Sequence, residues 1–193
     1  MRQKQLTRLS LVLGAALLLA VGGSVAYFVA TETAHNVVST GKVNILLNEL
    51  MDETGALRPF NDLENIEAGA TYSKKPYIEN HSTEPVWVRA KVSLIKTAGD
   101  GTKTPIDDFT SLMTLKNQNS HWLAGENGFY YYDSALPVGG KTEFLFESVK
   151  FADTIDDEYQ LATYTLTVTA EATQTAHNGT SAFDAVWTEN GGA

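Results

Sequence analysis

The chain has 193 residues, 43% hydrophobic and 19% charged, which is the composition of a folded domain and not of a disordered or fibrous chain. Acids outnumber bases 23 to 14, and the resulting formal charge of -9 argues against a nucleic-acid partner. Cysteine is absent, so disulfides, thiolate metal sites, iron–sulfur clusters and a cysteine nucleophile are excluded together.

The first element in the chain is a targeting segment. Arg2, Lys4 and Arg8 precede an apolar run that starts at Leu9, and no acid occurs before Glu32. Gly22-Gly23 breaks the run, and Ser24-Val25-Ala26 follows. A basic start, an apolar middle and small residues at the end describe a secretory signal over residues 1–26, cut between Ala26 and Tyr27. The competing reading is an uncleaved anchor, because residues 9–30 are long enough to span a bilayer.

After the signal the pattern is that of strands. Val43 and Ile45 alternate with Lys42 and Asn44 just past Gly41. Val86, Val88, Ala90, Val92 and Leu94 point to one side, with Trp87, Arg89, Lys91 and Ser93 on the other. Gly99-Asp100-Gly101 marks a turn. Residues 107–115 predict one short helix, capped by Asp107 or Asp108. Asn127-Gly128, between Trp122 and the run Phe129, Tyr130, Tyr131, Tyr132, predicts a hairpin. Pro137-Val138-Gly139-Gly140 is a further turn, leading to alternating Phe144 and Phe146. The clearest strand carries Ala162, Tyr164, Leu166, Val168, Ala170 and Ala172 against Thr163, Thr165, Thr167 and Thr169. One buried and one wet face imply an antiparallel sheet. The expectation is an all-β chain: an antiparallel β-sandwich over residues 41–174, with one or two short helices and a loose tail over 175–193. Residues 181–187 have the pattern of a terminal turn.

Reactive constellations are scarce. His35, His81, His121 and His177 show no pair at the spacing of a His-Glu-x-x-His helix. Asp153, Asp156, Asp157 and Glu158 are dense enough for a hard cation, but no Asp-x-Asp-x-Asp-Gly loop is present, and the plain reading is a solvated acidic turn. Asp52-Glu53 is a weaker case of the same kind. There is no Gly-x-Ser-x-Gly elbow and no phosphate-cradling loop. The sequence therefore supplies no catalytic residue, no cofactor site and no metal site. Asn80-His81-Ser82 and Asn178-Gly179-Thr180 match glycosylation sequons. Trp122 with Phe129 to Tyr132 is the densest aromatic patch. Alternation sends Phe129 and Tyr131 one way and Tyr130 and Tyr132 the other, so alternate members are expected to pack in the core and the rest to cap the sheet, the competing reading being a platform for a carbohydrate or partner.

Ordered along the chain, several segments resemble a family. They are Gly22-Gly23-Ser24-Val25-Ala26-Tyr27-Phe28, then Val38-Ser39-Thr40-Gly41-Lys42-Val43-Asn44-Ile45, Ala68-Gly69, Tyr77-Ile78-Glu79-Asn80 and the strand Val86 to Val92. Gly128 to Tyr132, Leu136 to Gly139, Leu145 to Val149, Ala170 to Gln174 and Trp187 complete the set. Together they resemble the TasA and camelysin-like secreted proteins, whose leaders are cut by a SipW-type signal peptidase. Val29-Ala30 before Thr31-Glu32, and Ala68 where proline is common, depart from the family pattern. The resemblance implies a jelly-roll-like β-sandwich exported from a Gram-positive-type cell to the cell surface or biofilm extracellular matrix. It implies a non-enzymatic structural protein that partners itself in a homo-oligomer or fibre, together with an accessory matrix protein. The segment 27–40, with Tyr27, Val29, Val37 and Val38 as apolar anchors, is the corresponding candidate strand for exchange between subunits. A camelysin-like surface metallopeptidase and a monomeric surface-binding module are the alternatives.

Overall fold

The computed structural model describes residues 27–29, 43–60, 67–153 and 162–187. The chain forms β1 (Tyr27–Val29), β2 (Ile45–Glu53), β3 (Ala56–Pro59), β4 (Thr71–Ser73), β5 (Lys75–Asn80) and β6 (Val86–Thr97). It continues through β7 (Lys103–Ile106), β8 (Met113–Lys116), β9 (Trp122–Ala124), β10 (Phe129–Tyr132), β11 (Ser148–Phe151) and β12 (Thr163–Gln174). The only helical element among the described residues is a single 3-10 turn at Glu126–Gly128.

The largest sheet has the order β1-β12-β6-β10-β9, with β7 also paired to β6. Opposite it lie β3-β2-β5 and β4-β11-β8. These two small sheets abut, because only Lys74 separates β4 from β5. Residues 141–147 then run beside β5 and lead into β11. Thr142 N–H donates to the Ile78 carbonyl and Leu145 N–H to that of Pro76, each at 2.9 Å. The result is an all-β, two-layer sandwich. Its pairings are antiparallel except for β1 on β12.

Period-2 patterning places the core. Ile45 and Leu47 of β2, Ile78 of β5, and Val149 and Phe151 of β11 face the inward side of β6 and β12. Val86, Val88, Ala90, Val92 and Leu94 are all buried, as are the six apolar positions from Ala162 to Ala172. β6 and β12 pair along twelve positions, with Leu166 opposite Leu94 and Val168 opposite Val92. The alternating strands expected from the sequence are therefore the two central strands of the large sheet.

Turn chemistry closes the hairpins. Thr54 (φ 57°) and Gly55 (φ 85°) link β2 to β3 in the left-handed geometry that suits the strand twist. The acidic pair Asp52-Glu53 belongs to this hairpin, where the Asp52 carboxylate accepts from the Gly55 N–H at 2.9 Å. Gly140 N–H donates to the Pro137 carbonyl, with Gly139 at φ 70° in the position that a type II turn reserves for glycine.

Three expectations are corrected. The helix over 107–115 does not form. Asp108 instead accepts from the Thr110 N–H (2.9 Å) and hydroxyl (2.6 Å), closing a turn, and Met113 already starts β8. A short segment containing Thr110, Ser111 and Thr114 cannot repay helix nucleation, whereas strand pairing of β8 with β11 buries Met113. Phe144 and Phe146 do not alternate in a strand. The segment bends so that Leu145 and Phe146 are both buried, while Phe144 stays half-buried. Finally, residues 175–187 are not loose. They fold back over the outward side of β6 and cover Trp87 and Arg89, which are only 8% and 9% exposed.

Candidate functional site: the N-terminal strand edge

β1 is the outermost strand of the large sheet. Its backbone pairs in parallel with the first three positions of β12: Tyr27 with Thr163, Phe28 with Tyr164, and Val29 with Thr165. The other side of β12 is taken up by β6 along its whole length. Beyond Thr165, no strand among the described residues closes the outer edge of β12. An edge of this kind presents backbone donors and acceptors to any extended chain that reaches it. Of the anticipated exchange segment, Val37 and Val38 lie outside the described residues, as does Ala26 of the expected cleavage point.

No catalytic constellation assembles elsewhere among the described residues. His81 Nε2 lies 3.1 Å from a Glu79 carboxylate oxygen, and His121 Nδ1 lies 2.8 Å from one of Asp133. His177 sits in an exposed turn at φ 58°, and His35 lies outside the described residues. No group of three or more His, Asp or Glu side chains is placed to hold a metal among the described residues. Asp153 of the acidic run pairs with Lys150 at 3.2 Å, and Asp156, Asp157 and Glu158 fall outside the described residues. No described helix is long and apolar enough to cross a membrane.

The histidine and acid pairs still shape local electrostatics. A hydrogen bond to the Asp133 carboxylate raises the His121 pKa above its ordinary value, and the carboxylate's charge acts in the same direction. Lys141 and His81 hold the Glu79 carboxyl below the usual range. Burial, and then the Glu143 carboxylate that accepts its hydroxyl, push Tyr132 up to about 12. The same hydrogen bond lowers Glu143.

The aromatic patch divides as its alternation requires. Trp122 and Tyr132 enter the core, with rings 5.2 Å apart, and Trp122 Nε1 donates to the Glu143 carbonyl at 3.0 Å. Phe129 and Tyr131 face outward, but the folded-back C-terminal segment partly covers them. Tyr131 stacks on Phe183 at 4.4 Å, and the Arg89 guanidinium lies between Phe129 (4.0 Å) and Trp187 (4.4 Å). Arg89 also donates to Glu171 at 2.7 Å, across the β6–β12 pair. Asn178 pins this segment. Its amide donates to the Thr173 hydroxyl and the Gln174 carbonyl, and it accepts from the Val186 N–H at 2.7 Å. Both sequon asparagines are thus structural, since Asn80 is 1% exposed and bridges the Glu84, Leu136 and Pro137 carbonyls.

No protein-family model, no curated protein and no solved structure matches this chain.

Proposed function

We propose that this chain is a secreted, non-enzymatic structural protein of the cell surface or extracellular matrix, which assembles with copies of itself through its N-terminal strand. The observation that carries the proposal is the position of β1, outermost in the sheet and closing only the first three positions of β12. A strand held at an edge by backbone pairing can be supplied by a neighbouring subunit as well as by its own chain. Main-chain bonds then give affinity and side-chain pockets give register. A head-to-tail exchange of this kind does not close, so it extends as a filament. The segment 27–40, anchored by Tyr27, Val29, Val37 and Val38, is the exchanged piece. The resemblance to TasA and camelysin-like proteins supports the same reading and adds export by a SipW-type peptidase.

The test compares protein beginning at Tyr27 with protein beginning at Gly41 by electron microscopy and sedimentation. The longer form is expected to make filaments, while the shorter form stays folded and monomeric. Filaments from the shorter form would refute exchange, and its failure to fold would place the strand permanently within its own domain. Stoichiometric zinc with chelator-sensitive proteolysis would replace this reading with the peptidase one. Both forms remaining monomeric would favour a surface-binding module.

A further inference from the structure

A pocket of about 320 Å³ opens on the outer side of the β2–β5 pair. Pro76 and Ile78 point inward from β5, so Tyr77 faces out, beside Leu50 of β2. Residues 141–147, held along β5 by the two backbone bonds described above, bring Phe144 against Tyr77. The rings lie 5.8 Å apart at 77°. The turn after β8 contributes Asn117 and Asn119 to the wall. Asn117 adopts the left-handed conformation (φ 55°), and its amide donates to Glu147 at 3.2 Å. Glu143 completes the rim, anchored from below by the Tyr132 hydroxyl.

Leu50, Tyr77 and Phe144 give the wall an apolar and aromatic surface, and polar side chains converge around it, a combination found in small-molecule sites. Those polar groups are of a particular kind. Two carboxylates and two primary amides offer acceptors and donors side by side, as adjacent hydroxyls require. Lys75 and Lys141, each 5.5 Å from a ring centroid of the aromatic pair, add further donors at the edge. A saturated ring with C–H groups on its face and hydroxyls around its rim is complementary to this arrangement. The volume is at the small end of the roughly 300–1,000 Å³ range of ligand pockets, so it suits a single ring at a time.

We propose that this pocket binds a neutral sugar unit of a polysaccharide. Neutrality follows from the charges. Lys141 is already matched by Glu79 at 2.6 Å, so Glu143 and Glu147 outnumber the one further cation at the edge, Lys75, in a chain whose formal charge is -9. An acidic sugar would meet like charge there. The pocket is lined from the β2–β5 sheet and β1 belongs to the other sheet, so sugar binding and self-assembly are separable properties.

Calorimetric titration of the full chain with neutral oligosaccharides of glucose, galactose and N-acetylglucosamine, and with galacturonate oligomers, tests the proposal. At least one neutral sugar is expected to bind, and Phe144→Ala is expected to weaken it tenfold or more. Glu147→Gln keeps the shape of the pocket and removes one charged acceptor, so it is expected to weaken binding even if Phe144→Ala fails to fold. Phe183→Ala, within the C-terminal segment, should leave binding unchanged. Absence of binding to every neutral sugar would overturn the proposal. Preference for galacturonate, or neutral binding indifferent to Glu147→Gln and to a folded Phe144→Ala, would do the same.

Discussion

Lys74 and Glu49 form an ion pair inside the sandwich, each side chain only 2% exposed, with the Lys74 ammonium 3.9 Å from the centre of the Phe60 ring. Removing one partner of such a pair takes a counter-ion away from the other buried charge, at a cost of about 3–5 kcal/mol. Glu49→Ala is therefore expected to lower the urea midpoint severely. The double replacement Glu49→Met with Lys74→Met should be less damaging than Glu49→Met alone, because both buried charges are then removed together. A double variant no more stable than that single one would show that the pair is not electrostatically coupled.

The two sides of β12 should respond unequally to charge. Leu166 is 6% exposed and opposite Leu94, whereas Thr167 is half-buried on the outward side. Leu166→Asp places an unpaired charge in the core, which costs several kcal/mol against a typical domain stability of about 5–15 kcal/mol. Circular dichroism should show it unfolded, and Thr167→Asp close to the parent in melting temperature. Equal damage would contradict the assignment of faces.

Alkaline pH should destabilise the fold through Tyr132. Its phenol is raised from 10.0 to about 12 in the folded chain, so folding favours the neutral form. That contribution is complete below pH 10 and is lost as pH rises through about 12. Tyr132→Phe should remove this part of the alkaline slope and let the Glu143 carboxyl rise towards its ordinary value. Denaturation at a series of pH values, with NMR titration of Glu143, reads both effects.

His121 and Asp133 make a milder prediction. The raised His121 pKa means that protonated imidazole is favoured in the fold, so this stabilisation is present below pH 6.5 and fades as pH rises through the folded value. Asp133→Asn should return the His121 titration to its ordinary position. An unchanged titration would mean that the two side chains do not interact in solution.

Asn178 should act as the pin of the C-terminal segment. Asn178→Ala removes the partner of the Val186 N–H and that of the buried Thr173 hydroxyl, at about 1–3 kcal/mol for the buried group left unpaired. Limited proteolysis should then cut within 175–187 while the sandwich survives. For the same reason, protein made in a glycosylating host should carry no glycan at Asn178 or Asn80 once folded. A glycosylated and fully folded product would overturn their structural assignment.

Secreted material should begin at or within two residues of Tyr27, and Ala26→Asp should block that cut, because the pocket for the residue before the cut takes only a small uncharged side chain. N-terminal sequencing decides it, and surface protein retaining residues 1–26 would favour the anchor.

By itself, the sequence determined the all-β class, the faces of β6 and β12 and the principal turns. Each of these rests on interactions between near neighbours: the two-residue period of a pleated strand and the φ preferences of glycine and asparagine. The hairpin at Gly128 was legible for the same reason, as was the division of Phe129 to Tyr132 between two faces. Only the tertiary structure decided which outward positions stay wet. Trp87 and Arg89 read as solvent-facing, yet the segment 175–187 covers them, and Trp187 reaches Arg89 only because Asn178 holds that segment on the sheet. It also decided that residues 107–115 give up a helix for a turn and β8, since the partner that repays the choice, β11, lies far along the chain. The buried Lys74–Glu49 pair and the pocket beneath Phe144 were invisible for the same physical reason. Their members come from segments distant in sequence, and no local period or propensity records which of those segments will meet.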